Sequence, residues 1–146
     1  MKIVSSLALM VAAGSISVAV TAQQQIDAVP LNATTYNAGH IAQAVLTPVN
    51  SNETELSLFV GGVPEGTLVP AHLYTYVYKG SCAQHDPKPA YSLNRVVTDN
   101  FNETEGIQLD KTVPLPYETL RSGHYSLVVR DSPADGNHEI FCGQLT

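Results

Sequence analysis

The chain has 146 residues, 44% of them hydrophobic and 14% charged, which is enough for one domain with a sizeable core. Thirteen acidic against seven basic side chains give a formal net charge of −6, and the sequence contains no cluster of Lys and Arg. We therefore expect neither nucleic acid nor an anionic membrane surface as a partner, because basic residues chiefly hold both.

The first 22 residues have the pattern of a secretory signal peptide. Lys2 provides a positive start, residues 3–20 are uncharged and apolar or small, and Val-Thr-Ala at 20–22 suits cleavage. A retained membrane anchor is the alternative, but the small residues and the cleavage site favour removal. We expect an exported mature chain from Gln23 with a net charge of −7 and no further membrane span. The short signal favours a bacterial periplasmic or extracellular protein over a eukaryotic one.

Residues 23–39 are polar, contain Pro30 and lack a sustained period, so we interpret them as a polar leader or a short edge strand. Residues 40–146 are expected to form a single domain. Its first two apolar segments, 41–49 and 55–60, are separated by polar turn residues, which predicts a hairpin.

The clearest strand covers residues 73–78, where aliphatic or β-branched residues alternate with tyrosines. A period of two places Tyr74, Tyr76 and Tyr78 on one face and the alternating residues on the other, towards the core. Large aromatic side chains on an outer face suit binding, since they offer contact area at low entropic cost. The alternative is that the loop at 83–91 covers the tyrosines as scaffold.

Further segments complete an all-β pattern without sustained helical periodicity. Short strands are expected at 93–97, 107–115, 124–130 and 138–145, with one helical turn at 117–123. Seven or eight short strands at this spacing predict an antiparallel Greek-key β-sandwich of the immunoglobulin or superoxide dismutase type.

The chain has two cysteines, Cys82 at the exit of the tyrosine strand and Cys142 in the last apolar run. Two cysteines in an exported chain favour a disulfide over a metal pair. Such a bridge closes a loop of roughly 60 residues, which the chain-entropy model values at ~4 kcal/mol.

Four stretches together resemble a known family: residues 58–66, residues 76–82, residues 126–130 and residues 141–145. In their order they resemble the copper/zinc superoxide dismutase-like sandwich and, more closely, small exported bacterial proteins related to CHRD domains. In the second stretch, Tyr76-Val-Tyr78 occupies the place of the family's His-x-His pair, followed by Gly80 and Cys82. The resemblance implies the same sandwich fold and the disulfide between Cys82 and Cys142.

The departures from that family concern its metal ligands. Tyr76 and Tyr78 stand at two histidine positions, and Arg130 stands at a third. A neutral phenol is a poor copper ligand, and a guanidinium cannot ligate at all. The resemblance therefore implies a lost metal site, with no cofactor and no dismutase activity.

None of the five histidines forms a close pair at ligand spacing. His72, His85 and His138 could still meet in space near the disulfide and form a relocated copper or zinc site; solvated histidines are the plainer interpretation. The sequence also lacks a glycine-framed nucleophile elbow and a phosphate-binding loop.

The sequence thus favours an exported, non-catalytic β-sandwich that binds an unknown protein or small molecule through Tyr74, Tyr76, Tyr78 and Arg130. The alternatives are a copper- or zinc-binding protein with a relocated histidine site, and residual superoxide dismutase-like activity.

Overall fold

The computed structural model describes Ser17, Ala19 and residues 26–99 and 105–146. The predicted signal peptide lies almost wholly outside these residues. Within them the chain forms nine strands and one α-helix: β1 Asp27–Ala33, β2 Ala42–Asn50, β3 Glu53–Val60, β4 Ala71–Lys79, β5 Tyr91–Ser92, β6 Val96–Thr98, β7 Ile107–Val113, α1 Tyr117–Ser122, β8 Tyr125–Arg130 and β9 Glu139–Gln144. Two short 3-10 turns cover Thr35–Asn37 and Pro133–Asp135.

The strands pair antiparallel in the order β5-β4-β8-β9-β1-β2-β3-β7, with β6 on β4. The pairs β3–β7, β4–β8 and β9–β1 join strands that are distant in sequence, as Greek-key connections do. The predicted antiparallel all-β fold is confirmed. The strands number nine rather than seven or eight, because this count includes β5 and β6, which have only two and three residues.

The segment interpreted as a polar leader or an edge strand differs from that expectation. Its residues 27–33 form β1, in which Asp27–Leu31 pairs with β2 while Asn32 and Ala33 pair with β9. Val29 and Leu31 point into the core and are buried. β1 therefore joins the two halves of a nearly closed sheet.

The core lies between these halves and follows from the two-residue period of the strands. In β7 the burial alternates residue by residue, and Leu109 and Val113 face inward. Lys111 shares that inward face, and its ammonium group donates a hydrogen bond to the backbone carbonyl of Asn94. Burial lowers the pKa of Lys111. β7 and β5 are the two end strands of the sheet and do not pair with each other. The Lys111 side chain connects β7 to the segment that follows β5.

The predicted disulfide between Cys82 and Cys142 is confirmed, with a Cα–Cα distance of 5.9 Å. Its sulfur atoms lie on the outer face of β8 and β9, where Cys142 packs with Tyr78 and Val128. The loop that begins at Cys82 is tied back to β4, since the amide of Ala90 donates to the carbonyl of Val77 at 2.8 Å. The bridge therefore holds a loop over the sheet rather than linking two parts of the core.

Candidate functional site

The tyrosine row lies on the outer face of β4, as the alternation predicts. The ring centroids of Tyr74 and Tyr76 are 6.5 Å apart with nearly parallel planes, and those of Tyr76 and Tyr78 are 6.1 Å apart, edge to face. β4 pairs with β8 so that Tyr74 stands opposite Arg130. The register thus brings all four residues predicted for binding onto one face.

The three tyrosines differ in how far they are covered. Tyr78 is only 4% exposed, because the His85 ring lies 4.1 Å from its ring centroid and the disulfide packs beside it. Arg130 adds a cation–π contact, with Cζ 5.9 Å from the Tyr78 centroid. Tyr74 and Tyr76 are half-buried. The covering loop therefore leaves two of the three rings in contact with solvent.

One carboxylate holds the covering loop against the sheet. Glu139 Oε1 accepts hydrogen bonds from His85 Nε2 at 2.7 Å and from an Arg130 guanidinium nitrogen at 2.8 Å. His85 Nδ1 lies 2.8 Å from the carbonyl oxygen of Asp86, and Arg130 also donates to the carbonyl of Asn137 at 3.0 Å. Both ring nitrogens of His85 thus lie within hydrogen-bond distance of oxygen atoms, which fixes the orientation of the ring. The charge of Arg130 is already balanced within the fold.

Burial, together with the neighbouring phenols of Tyr78 and Tyr74, raises the pKa of Tyr76, against a smaller lowering effect of Arg130. The phenol of Tyr76 therefore stays neutral over the ordinary pH range and can donate a hydrogen bond. A neutral phenol supplies contact area and one donor, which suits binding rather than metal ligation.

A groove of about 480 Å³ adjoins the row at Tyr74. We call it the apolar groove; its walls are Leu68, Val69, Pro70, Tyr74, Pro133 and Ala134. Leu68 and Val69 are 55% and 75% exposed, which places two aliphatic side chains in solvent at its edge. Grooves of this volume with mostly apolar walls are typical of small-molecule sites.

The polar lining of the apolar groove is basic. Arg95 and His72 line it together with Ser132, and none of the described lining residues is acidic. Asp135 is not part of this lining, but its two oxygens accept hydrogen bonds from two lining residues, the Leu68 amide at 2.9 Å and the Ser132 hydroxyl at 2.6 Å. These bonds connect the loop carrying Leu68 to the turn that follows β8, so the groove is built from two distant parts of the chain.

A smaller cleft of about 250 Å³ contains an aspartate–histidine pair. Asp131 is almost wholly buried and accepts from the His138 backbone amide, and its second oxygen lies 3.1 Å from His138 Nδ1. The His138 ring stacks on Tyr36 with centroids 4.0 Å apart. Packing and the carboxylate together fix the orientation of this imidazole.

The three histidines considered for a metal site have different surroundings. His72 lines the apolar groove, His85 bonds to Glu139, and His138 bonds to Asp131. Across residues 26–99 and 105–146, no three His, Cys, Asp or Glu side chains are grouped to hold a metal ion.

Sequence reasoning did not find the apolar groove. Its walls come from residues 68–70 and 132–134, which meet only after β4 and β8 have paired. The one available signal was Leu68-Val-Pro70, an apolar run within a loop, where polar residues are more common.

Comparisons with protein-family models, with curated protein sequences and with solved structures found no match to this chain. Among the described residues, no helix is both long and apolar enough to cross a membrane.

Proposed function

We propose that this protein is an exported, non-catalytic binding protein that holds a small, largely apolar molecule in the apolar groove and against Tyr74 and Tyr76. One observation carries the proposal. Tyr74 belongs both to the tyrosine row and to the wall of the groove, so the two form one continuous surface. Aromatic and aliphatic side chains gathered in a concave surface are the usual lining of ligand sites.

Exposure of the groove edge supports the proposal. Leu68 and Val69 face solvent, so their apolar surface adds little to the stability of the core. A bound molecule would remove both side chains from water, which is favourable. Export is consistent with the disulfide, which forms and persists in oxidising compartments. The resemblance to CHRD-related exported proteins belongs to the same proposal.

The test uses N-phenyl-1-naphthylamine, a neutral aromatic probe whose fluorescence rises in apolar surroundings. We expect saturable binding to the disulfide-bonded mature chain. Val69→Ser should weaken binding about five-fold, because roughly 1 kcal/mol of apolar contact is lost. Tyr74→Ala should weaken it at least as much, since it removes a larger wall residue.

Val49→Ser is the matched control. Val49 is also an exposed valine, 54% accessible, but it lies at the β2–β3 turn, away from the groove. Its replacement should leave probe affinity unchanged. Equal losses in Val69→Ser and Val49→Ser, or no saturable binding at all, would reject the groove as the binding site.

A further inference from the structure

We infer that the apolar groove selects molecules with an apolar body and a single carboxylate over neutral or cationic molecules of the same size. This inference rests on the proposed function and adds the chemical class of the ligand. The supporting observation is that the ionisable side chains lining the groove are the basic residues Arg95 and His72, whereas the chain as a whole has a net negative charge.

Arg95 is the group that distinguishes this groove. In the part of the chain that the structure describes, its side chain makes no hydrogen bond or ion pair with another residue, and Arg95 is an exposed residue. Arg121 and Arg130, by contrast, bond to Asp27 and Glu139. Among the described residues, Arg95 is thus the arginine whose side chain has no acidic partner, and it lies beside apolar walls.

A carboxylate is the ligand group that this arginine fits best. The planar guanidinium offers two parallel N–H donors, which match the two oxygens of a carboxylate. His72 lies in the same groove and can donate a further hydrogen bond to an anion. The nearby carboxylate of Asp135 accepts hydrogen bonds from Leu68 and Ser132 and forms no ion pair with Arg95.

The apolar body of the ligand follows from the remaining walls. Leu68, Val69 and Pro70 form one side, and Pro133 with Ala134 forms the other. These side chains offer no charge and no side-chain hydrogen bond, so they favour a hydrocarbon or aromatic body. An apolar body with an anionic head therefore matches each part of the groove.

The experiment compares three probes of equal chain length: decanoate, 1-decanol and decylammonium. Each is titrated below its micelle-forming concentration into the disulfide-bonded mature chain, and binding is followed by amide chemical shifts. We expect shifts at the amides of Leu68, Val69, Ala71, His72, Ser132 and Ala134. Decanoate should bind about five-fold more tightly than decanol, and decylammonium most weakly.

Arg95→Gln should lower the affinity for decanoate to that for decanol and leave decanol unchanged. Lys88→Gln is the matched control, because it removes the same charge from an exposed position outside the groove. Equal effects of the two variants would mean that net charge alone acts, which would overturn recognition by Arg95.

The remaining outcomes separate this inference from the proposed function. If decanoate and decanol bind equally and Val69→Ser weakens both, the groove binds apolar molecules without charge selection, and only the inference fails. If none of the three probes shifts the groove amides, both the inference and the proposed function are overturned.

Discussion

At the scale of single residues, Tyr76 and Tyr78 lie two positions apart on β4 but have different roles. Tyr78 is covered by His85, Arg130 and the disulfide, and its ring forms part of a small packed cluster on the outer face. Tyr76 packs against the edge of that cluster and against Tyr74, and it keeps contact with solvent. The row is therefore part scaffold and part available surface.

Alanine substitutions along β4 should separate these roles. Tyr78→Ala should cost about 3 kcal/mol or more of unfolding free energy, and Val77→Ala ~1–3 kcal/mol, since both side chains are buried. Tyr76→Ala should cost less than either. Chemical denaturation of the three variants measures the order. A larger loss for Tyr76→Ala than for Tyr78→Ala would show that Tyr76 is the structural residue.

At the scale of elements, helix α1 is fastened where β1 begins. The Tyr117 hydroxyl donates to the Asp27 carboxylate, and Arg121 Nε lies 3.2 Å from the same carboxylate. A second nitrogen of Arg121 donates to the carbonyl of Leu145 at 2.6 Å. One short helix thus fixes the start of β1 and the residue after β9.

This helix attachment should depend on pH. Burial, then the hydrogen bond to Asp27, raise the pKa of Tyr117 to about 12. The folded state favours the neutral phenol, so its contribution is complete below the usual value near 10 and is lost as the pH rises towards 12. Absorbance titration should therefore show that Tyr117 ionises late, in addition to Tyr76, whose pKa is also raised.

Tyr117→Phe should remove the phenol that ionises near pH 12 and cost about 1–3 kcal/mol through the lost hydrogen bond to a charged group. Tyr36→Phe is the control, because Tyr36 is an exposed tyrosine remote from α1. Ionisation of every tyrosine near pH 10 in the folded protein would contradict the role of Asp27.

The elements also show what sequence patterns can predict. Strand β4 alternates clearly and its position followed from periodicity, whereas β8 was predicted from its apolar and β-branched residues and is buried on both faces. The segment of β1 was predicted as a leader or an edge strand because of Pro30, and its place between β2 and β9 was not predicted, since the pairing with β9 depends on residues more than 100 positions away. The apolar groove was missed for the same reason, since Val69 and Pro133 become neighbours only through tertiary pairing.

At the scale of the whole molecule, the disulfide connects positions 60 residues apart on the outside of the sheet. Cys142→Ser should lower the free energy of unfolding by ~2–5 kcal/mol and the melting temperature by several degrees. The physical reason is the larger freedom of the unfolded chain without the bridge. The melting temperature, measured with and without reductant, tests this expected loss of stability. Two titratable thiols in the wild-type protein under non-reducing conditions would contradict the disulfide.

The pairing of β1 with β9 has a consequence for how the chain is made. Asn32 and Ala33 find their hydrogen-bonding partners in Phe141 and Cys142, so the sheet cannot join its two halves until the ribosome has made both segments. Pairing over such sequence distances slows folding. The nascent chain therefore cannot close its sheet before β9 has been synthesised, and it stays open for longer than a chain whose strands pair only with their neighbours in sequence.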